Sequence, residues 1–92
     1  MEKFFEKKLR EAVRRLGGIA LKLFSPSFTG LPDRMVLMPG GRIWFVELKS
    51  PGKKQTPRQQ IVSDQLRRLG FVVLVIDSET TLNDFLNEVR TA

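Results

Sequence analysis

Two apolar runs, Met35 to Met38 and Ile43 to Leu48, flank Pro39-Gly40-Gly41-Arg42, and no other feature constrains the chain as tightly. Runs of this kind extend as strands, and the Pro-Gly-Gly connection returns the second along the first, so the segment predicts an antiparallel hairpin. Its register matters for chemistry. Glu47 and Lys49 are two residues apart and share a face at the end of the second strand, while Asp33 stands at the start of the first. A two-residue Gly40-Gly41 turn sets Asp33 opposite Leu48 and turns it away from Glu47, because a slip of one residue reverses the face. A three-residue loop ending in a bulge, with Gly41 left-handed, sets Asp33 opposite Glu47. A site that uses both carboxylates requires the second register.

The flanking segments supply a small α/β frame. Phe5, Leu9, Val13 and Leu16 form the apolar stripe of a helix over residues 2 to 16, which Gly17-Gly18 ends. Ile19 to Phe24 reads as a largely buried strand, and Ser25 to Leu31 as a breaker-rich loop. Ser50 to Gln55 is a basic loop. Thr56-Pro57 caps a second helix, with Ile61, Gln65, Leu66 and Leu69 continuing it to Gly70. Phe71 to Ile76 is the most strand-like run, and Thr81 to Val89 closes the order α-β-β-β-α-β-α as a helix. The expected fold is a mixed sheet flanked by helices.

Composition narrows the chemistry. Ninety-two residues predict one small domain over 1–92 with a modest core. With no His and no Cys, imidazole catalysis, Ser-His-Asp or Cys-His triads, ordinary zinc sites and disulfides are all excluded. Catalysis is left to carboxylates, Lys, hydroxyls or a hard metal held by oxygen. Lys and Arg number 16 against 10 Asp and Glu, a net charge of +6, which favours a polyanionic partner. No secretory signal or membrane-length apolar run is legible, so the expectation is an intracellular, cytoplasmic protein, in the host cytoplasm if viral.

In the register that joins them, Asp33 and Glu47 repel and favour a hard divalent cation, Mg²⁺ or Mn²⁺. Lys49 beside them can orient or deprotonate a water whose acidity the ion has raised. That combination suits phosphodiester hydrolysis. Singly, the same residues are ordinary: an i, i+2 ion pair on a sheet is worth little, and an Asp after a Pro is most often a turn residue.

Pro32-Asp33, thirteen intervening residues and Glu47-Leu48-Lys49 resemble the PD-(D/E)xK nuclease signature, and the wider pattern is similar to the VRR-NUC family within that restriction-endonuclease-like superfamily. The likeness extends through Glu6 on the first helix, Gly17 at its end, Lys22, Gly30-Leu31, the Gly40-Gly41 hairpin, Pro57-Arg58-Gln59 and Gly70-Phe71. The resemblance implies that Asp33, Glu47 and the Leu48 carbonyl ligate Mg²⁺ or Mn²⁺ and that Lys49 acts on the water. It also implies that Glu6 supports the ion, directly or through water, with Glu2 as a fallback, and that Gln59, or its neighbour Gln60, completes the site. The family's small stand-alone phage members are similar in length, and they imply a homodimeric endodeoxyribonuclease acting on four-way (Holliday) junctions.

The basic residues fit such a substrate. Lys7, Lys8, Arg10, Arg14 and Arg15 on the first helix, and Lys53, Lys54 and Arg58 around the second loop, form two cationic clusters suited to phosphate contact. Lys22 either snorkels at a sheet edge or faces the cleft and meets phosphate. Trp44 alternates with Val46 and Leu48, away from Glu47, and reads as core or dimer interface; with no Tyr, no exposed aromatic ladder is legible. The rival readings are a non-catalytic basic DNA-binding or architectural protein, and a nuclease for flap or linear duplex DNA.

Overall fold

Four short apolar runs and three segments with a 3.6-residue apolar period produce the observed order. The computed structural model describes residues 2–91, without the side chains of Glu2 and Thr91. Its elements are α1 (Glu2–Arg15), β1 (Ile19–Lys22), β2 (Arg34–Met38), β3 (Arg42–Leu48), α2 (Pro57–Arg68), β4 (Val72–Ile76) and α3 (Glu79–Thr91). The strands form one mixed sheet in the order β1-β2-β3-β4. β1, β2 and β3 are antiparallel neighbours, whereas β4 runs parallel to β3. A parallel pair needs a crossover, and α2 provides it.

The hairpin takes the register that joins the acids. Met38 pairs with Arg42 across the three residues Pro39-Gly40-Gly41, and Arg34 pairs with Val46. One step further, Asp33 stands opposite Glu47. Gly40 and Gly41 both have positive φ, +85° and +74°, which a residue with a Cβ adopts only with strain.

Alternation then divides the sheet. Val36, Met38, Trp44, Val46, Leu48 and Ile76 project to one face, where Phe5, Leu9 and Val13 of α1 and Leu82, Phe85 and Val89 of α3 complete the core. Trp44 lies in this core, edge-on to Phe85 at 6.1 Å between ring centres, and its indole N–H donates to Glu88 at 3.1 Å. Asp33, Phe45 and Glu47 project to the other face, which α2 covers from the β4 side.

That partial cover corrects one expectation. β1 is an exposed edge strand, not a largely buried one: Ile19 and Leu21 are 57% and 40% exposed. An apolar run identifies a strand, but its burial depends on which helix lies over it, and α2 packs at the opposite edge. α2 also departs from its apparent stripe. Val62 and Ser63 are its buried residues, while Ile61 and Leu69 face outward. α3 starts two residues earlier than its apolar period, because Thr81 and Ser78 bond to each other's backbone at its start.

Gly30 joins the β1–β2 loop to α2. Its φ is +85°, and a Cβ there would lie 2.9 Å from Arg58 Cγ and 3.0 Å from the Arg58 carbonyl oxygen and Val62 Cγ2. At Gly41 nothing lies within 4 Å of a Cβ. Gly41→Ala therefore meets only backbone strain and is expected to cost about 1 kcal/mol, whereas Gly30→Ala adds a clash with a packed helix and costs about 2 kcal/mol or more. Urea unfolding of the two variants measures the difference, and equal losses would refute the close packing of this loop on α2.

Candidate active site

The end of the sheet where β2 begins and β3 ends gathers the acidic residues. Glu47 is the last inward-facing residue of β3 on the α2 side and is 1% exposed. Asp33 reaches across the hairpin and accepts the Leu48 N–H at 2.7 Å through Oδ2, while its carbonyl accepts the Leu23 N–H at 2.9 Å. One bond to its side chain and one to its backbone hold Asp33 from both sides. In an extended strand the N–H and C=O of one residue point to the same flank, which turns the Leu48 carbonyl toward Asp33 as well.

Glu47 is strongly perturbed. Burial, a hydrogen-bonding contact with Asp33 and repulsion from its charge push the Glu47 carboxyl up to about 8; the Lys49 ammonium and Gln55 pull in the opposite direction without cancelling the rise. Its Oε2 is buried and has no hydrogen-bond partner. A buried acceptor without a donor is costly, and a cation between two carboxylates removes both the vacancy and the repulsion. The donor set of Asp33, Glu47 and the Leu48 carbonyl consists of hard oxygens and fits Mg²⁺ or Mn²⁺. Among the described residues no third acidic, His or Cys side chain joins them, consistent with an ion that keeps much of its water.

The other expected residues are placed variously. Lys49 lies within electrostatic reach of Glu47. Glu6 is not among the groups around Glu47: its Oε1 pairs at 3.0 Å with Arg34, a guanidinium 8% exposed that also donates to the Ala20 carbonyl at 3.0 Å. Arg34 thereby ties α1, β1 and β2 together next to Asp33. The side chain of Glu2 lies outside the described residues. Gln59 Oε1 accepts the Thr56 N–H at 2.9 Å in a reciprocal capping box, and Gln60 donates to Asp64 at 3.0 Å.

The amide beside Glu47 is instead Gln55, whose Nε2 donates to the buried Ser63 hydroxyl at 2.9 Å. Sequence reading missed it. The available signal was the capping-box pattern Thr56-Pro57-Arg58-Gln59, which commits Gln59 to the helix start and leaves the residue before the cap to turn inward.

The cations divide by location. Lys53 and Lys54 are exposed beside Gln55, along an open cleft that Asp77 also lines. Arg58 donates to the Thr29 carbonyl at 3.3 Å and stacks over Phe28 at 5.5 Å. Lys22 is exposed and pairs with Arg34, which puts it on the face opposite Asp33 and Glu47. Arg14 and Arg15 are exposed at the far end of the sheet, near Gly17 and Pro39. Lys8 is taken up by Glu79 at 2.9 Å.

Comparisons with known proteins place the chain among nucleases. No protein-family model matches the chain. It is 49% identical over 78 residues to the "Putative nuclease p44" of Acyrthosiphon pisum secondary endosymbiont phage 1, covering 85% of this chain and 84% of that protein. A solved structure described as a VRR_NUC domain superposes with a TM-score of 0.88 at 32% identity, covering 94% of each chain.

The raised Glu47 pKa makes stability depend on pH in a defined direction. Below the ordinary Glu value near 4.5 the folded and unfolded chains both carry a neutral carboxyl; between 4.5 and about 8 only the unfolded chain ionises it. The metal-free protein should therefore lose stability as pH rises through this window and level off above it. Glu47→Gln, neutral throughout, should flatten that dependence in thermal melts. An unchanged slope in the variant would show that Glu47 is not the group responsible.

Proposed function

This chain belongs to the VRR_NUC nuclease family, and on that premise we propose that it is a Mg²⁺- or Mn²⁺-dependent endodeoxyribonuclease acting on structured DNA, with four-way (Holliday) junctions as the preferred substrate. The observation that carries the reading is the pairing of Asp33 with a buried Glu47 whose Oε2 lacks any partner. Asp33, Glu47 and the Leu48 carbonyl would hold the ion. A divalent cation bound there supplies Lewis-acid activation of water and neutralises charge on the phosphate.

The protein's own groups account for the rest. The Lys49 ammonium, beside Glu47, would orient the attacking water and offset charge on the phosphate while the water oxygen bonds to phosphorus and one P–O ester bond breaks, the proton given up by the water ending on the leaving oxygen. Gln55, anchored on Ser63, fixes the Glu47 carboxylate, and Gln59 acts indirectly by starting α2 in place. Glu6 acts through Arg34 to hold the strand that carries Asp33. Lys53 and Lys54, exposed beside Gln55, and Arg58, exposed at the start of α2, would contact the DNA backbone first; Lys22, Arg14 and Arg15 extend the basic surface to longer arms of the substrate. Phosphate contacts position DNA without reading sequence, which suits recognition by shape.

A homodimer would supply two sites for paired incision, and the exposed apolar residues Ile19 and Leu21 on edge strand β1 give a second copy a surface to cover. No helix among the described residues is long and apolar enough to cross a membrane, in keeping with action on cytoplasmic DNA.

Purified protein with Mn²⁺ should cut four-way junctions in preference to flap, splayed and linear duplexes at matched salt. Asp33→Ala and Lys49→Ala should each abolish cleavage, by at least about a hundredfold, while junction binding stays within a few-fold. If wild-type protein binds branched DNA but never nicks it, the architectural reading prevails.

A further inference from the structure

We propose that the groove between the β1–β2 loop and α2 receives a nucleobase of the bound DNA, turned out of its stack next to the scissile phosphate. The inference rests on the nuclease reading above and adds a binding site to it. The groove measures about 440 Å³ and is walled by Phe28 and Leu31 on one side and Val62, Leu66 and Leu69 on the other, with Gln65 and Arg68 also lining it. A nucleobase has two apolar faces, a polar edge and a phosphate close by. The groove answers each in turn: an aromatic ring and aliphatic walls for the faces, an amide with one donor and one acceptor side for the edge, and a guanidinium for the phosphate.

Its position suits the chemistry. Leu31 is two residues from Asp33, a reach of at most about 7 Å of chain, comparable to about two base steps of 3.4 Å. Its shape is preset. Gly30 seats the loop against Arg58 and Val62 with no room for a Cβ, and Arg58 fastens the loop again through the Thr29 carbonyl while stacking on Phe28. A groove built this firmly does not have to be ordered on binding. Phe28 and Leu69 nevertheless stay 44% and 73% exposed, so the apolar walls await a ligand. Charge selects which one. Arg58 and Arg68 flank the groove, and two guanidiniums at the rim of an apolar slot complement a base with its phosphate attached.

The test compares two four-way junctions, identical except that one unpaired nucleotide inserted at the branch point carries a base in one and is abasic in the other. Fluorescence anisotropy with EDTA present, at fixed salt, reads binding without cleavage. Wild-type protein should bind the base-containing DNA about tenfold more tightly. Phe28→Ala and Leu69→Ser should each shrink that ratio to within twofold and leave the abasic affinity unchanged, which also reports that the variants are folded. Equal binding of both DNAs by wild type, or a tenfold ratio that survives both substitutions, overturns the proposal. So does sedimentation showing that Leu69→Ser turns a dimer into a monomer, because the groove then belongs to a second copy. Cutting of the same DNAs with Mn²⁺ separates the two readings: cleavage without base discrimination sinks the base site alone, and discrimination without cleavage sinks the nuclease alone.

Discussion

Two carboxylates facing each other across a hairpin repel, and the fold imposes this contact instead of avoiding it. The cause lies at the far end of the hairpin. Pro39-Gly40-Gly41 closes as a three-residue loop with both glycines at positive φ, and Arg34 consequently pairs with Val46 and not with Glu47. A shorter turn would send Asp33 to the other face and leave Glu47 alone. The chemistry at one end of the sheet thus depends on the backbone of Gly40 and Gly41 at the other, seven residues from Asp33 and six from Glu47.

Other elements stabilise what the register creates. The Leu48 N–H holds Asp33, Gln55 reaches Glu47 from its anchor on Ser63, and the capping box fixes where α2 begins and therefore where Gln55 lies. On the opposite face Arg34 draws Glu6 of α1 and the Ala20 carbonyl of β1 toward the strand that follows Asp33. Even so, Glu47 keeps an unpartnered buried oxygen and a carboxyl raised to about 8. Local destabilisation of this kind is expected at a functional site that is completed by its ligand.

The hairpin, the order of elements and the proximity of Asp33, Glu47 and Lys49 were legible in the sequence, because turn chemistry and alternation act over a few residues. What was not legible depends on contacts between distant segments. The apolar run of β1 predicted a strand correctly and its burial wrongly, since burial is decided by where α2 packs. Lys22 had two open readings until its pairing with Arg34 put it on the face away from the acids. Gln55 carries no local signal beyond preceding a helix cap. Phe28 became noticeable only when Gly30 folded its loop onto α2, which gives an exposed aromatic a place beside the site.

Asp33 and Glu47 are proposed to hold one divalent cation between them. Calorimetric titration of Mn²⁺ into the wild-type protein and into Asp33→Ala, without DNA, addresses this most directly. One ion per chain should bind the wild type, with release of protons at pH 7 as Glu47 gives up its proton, and both the heat of binding and the proton release should vanish in the variant. Equal Mn²⁺ binding by the two proteins, or none by either at millimolar metal, would contradict the claim.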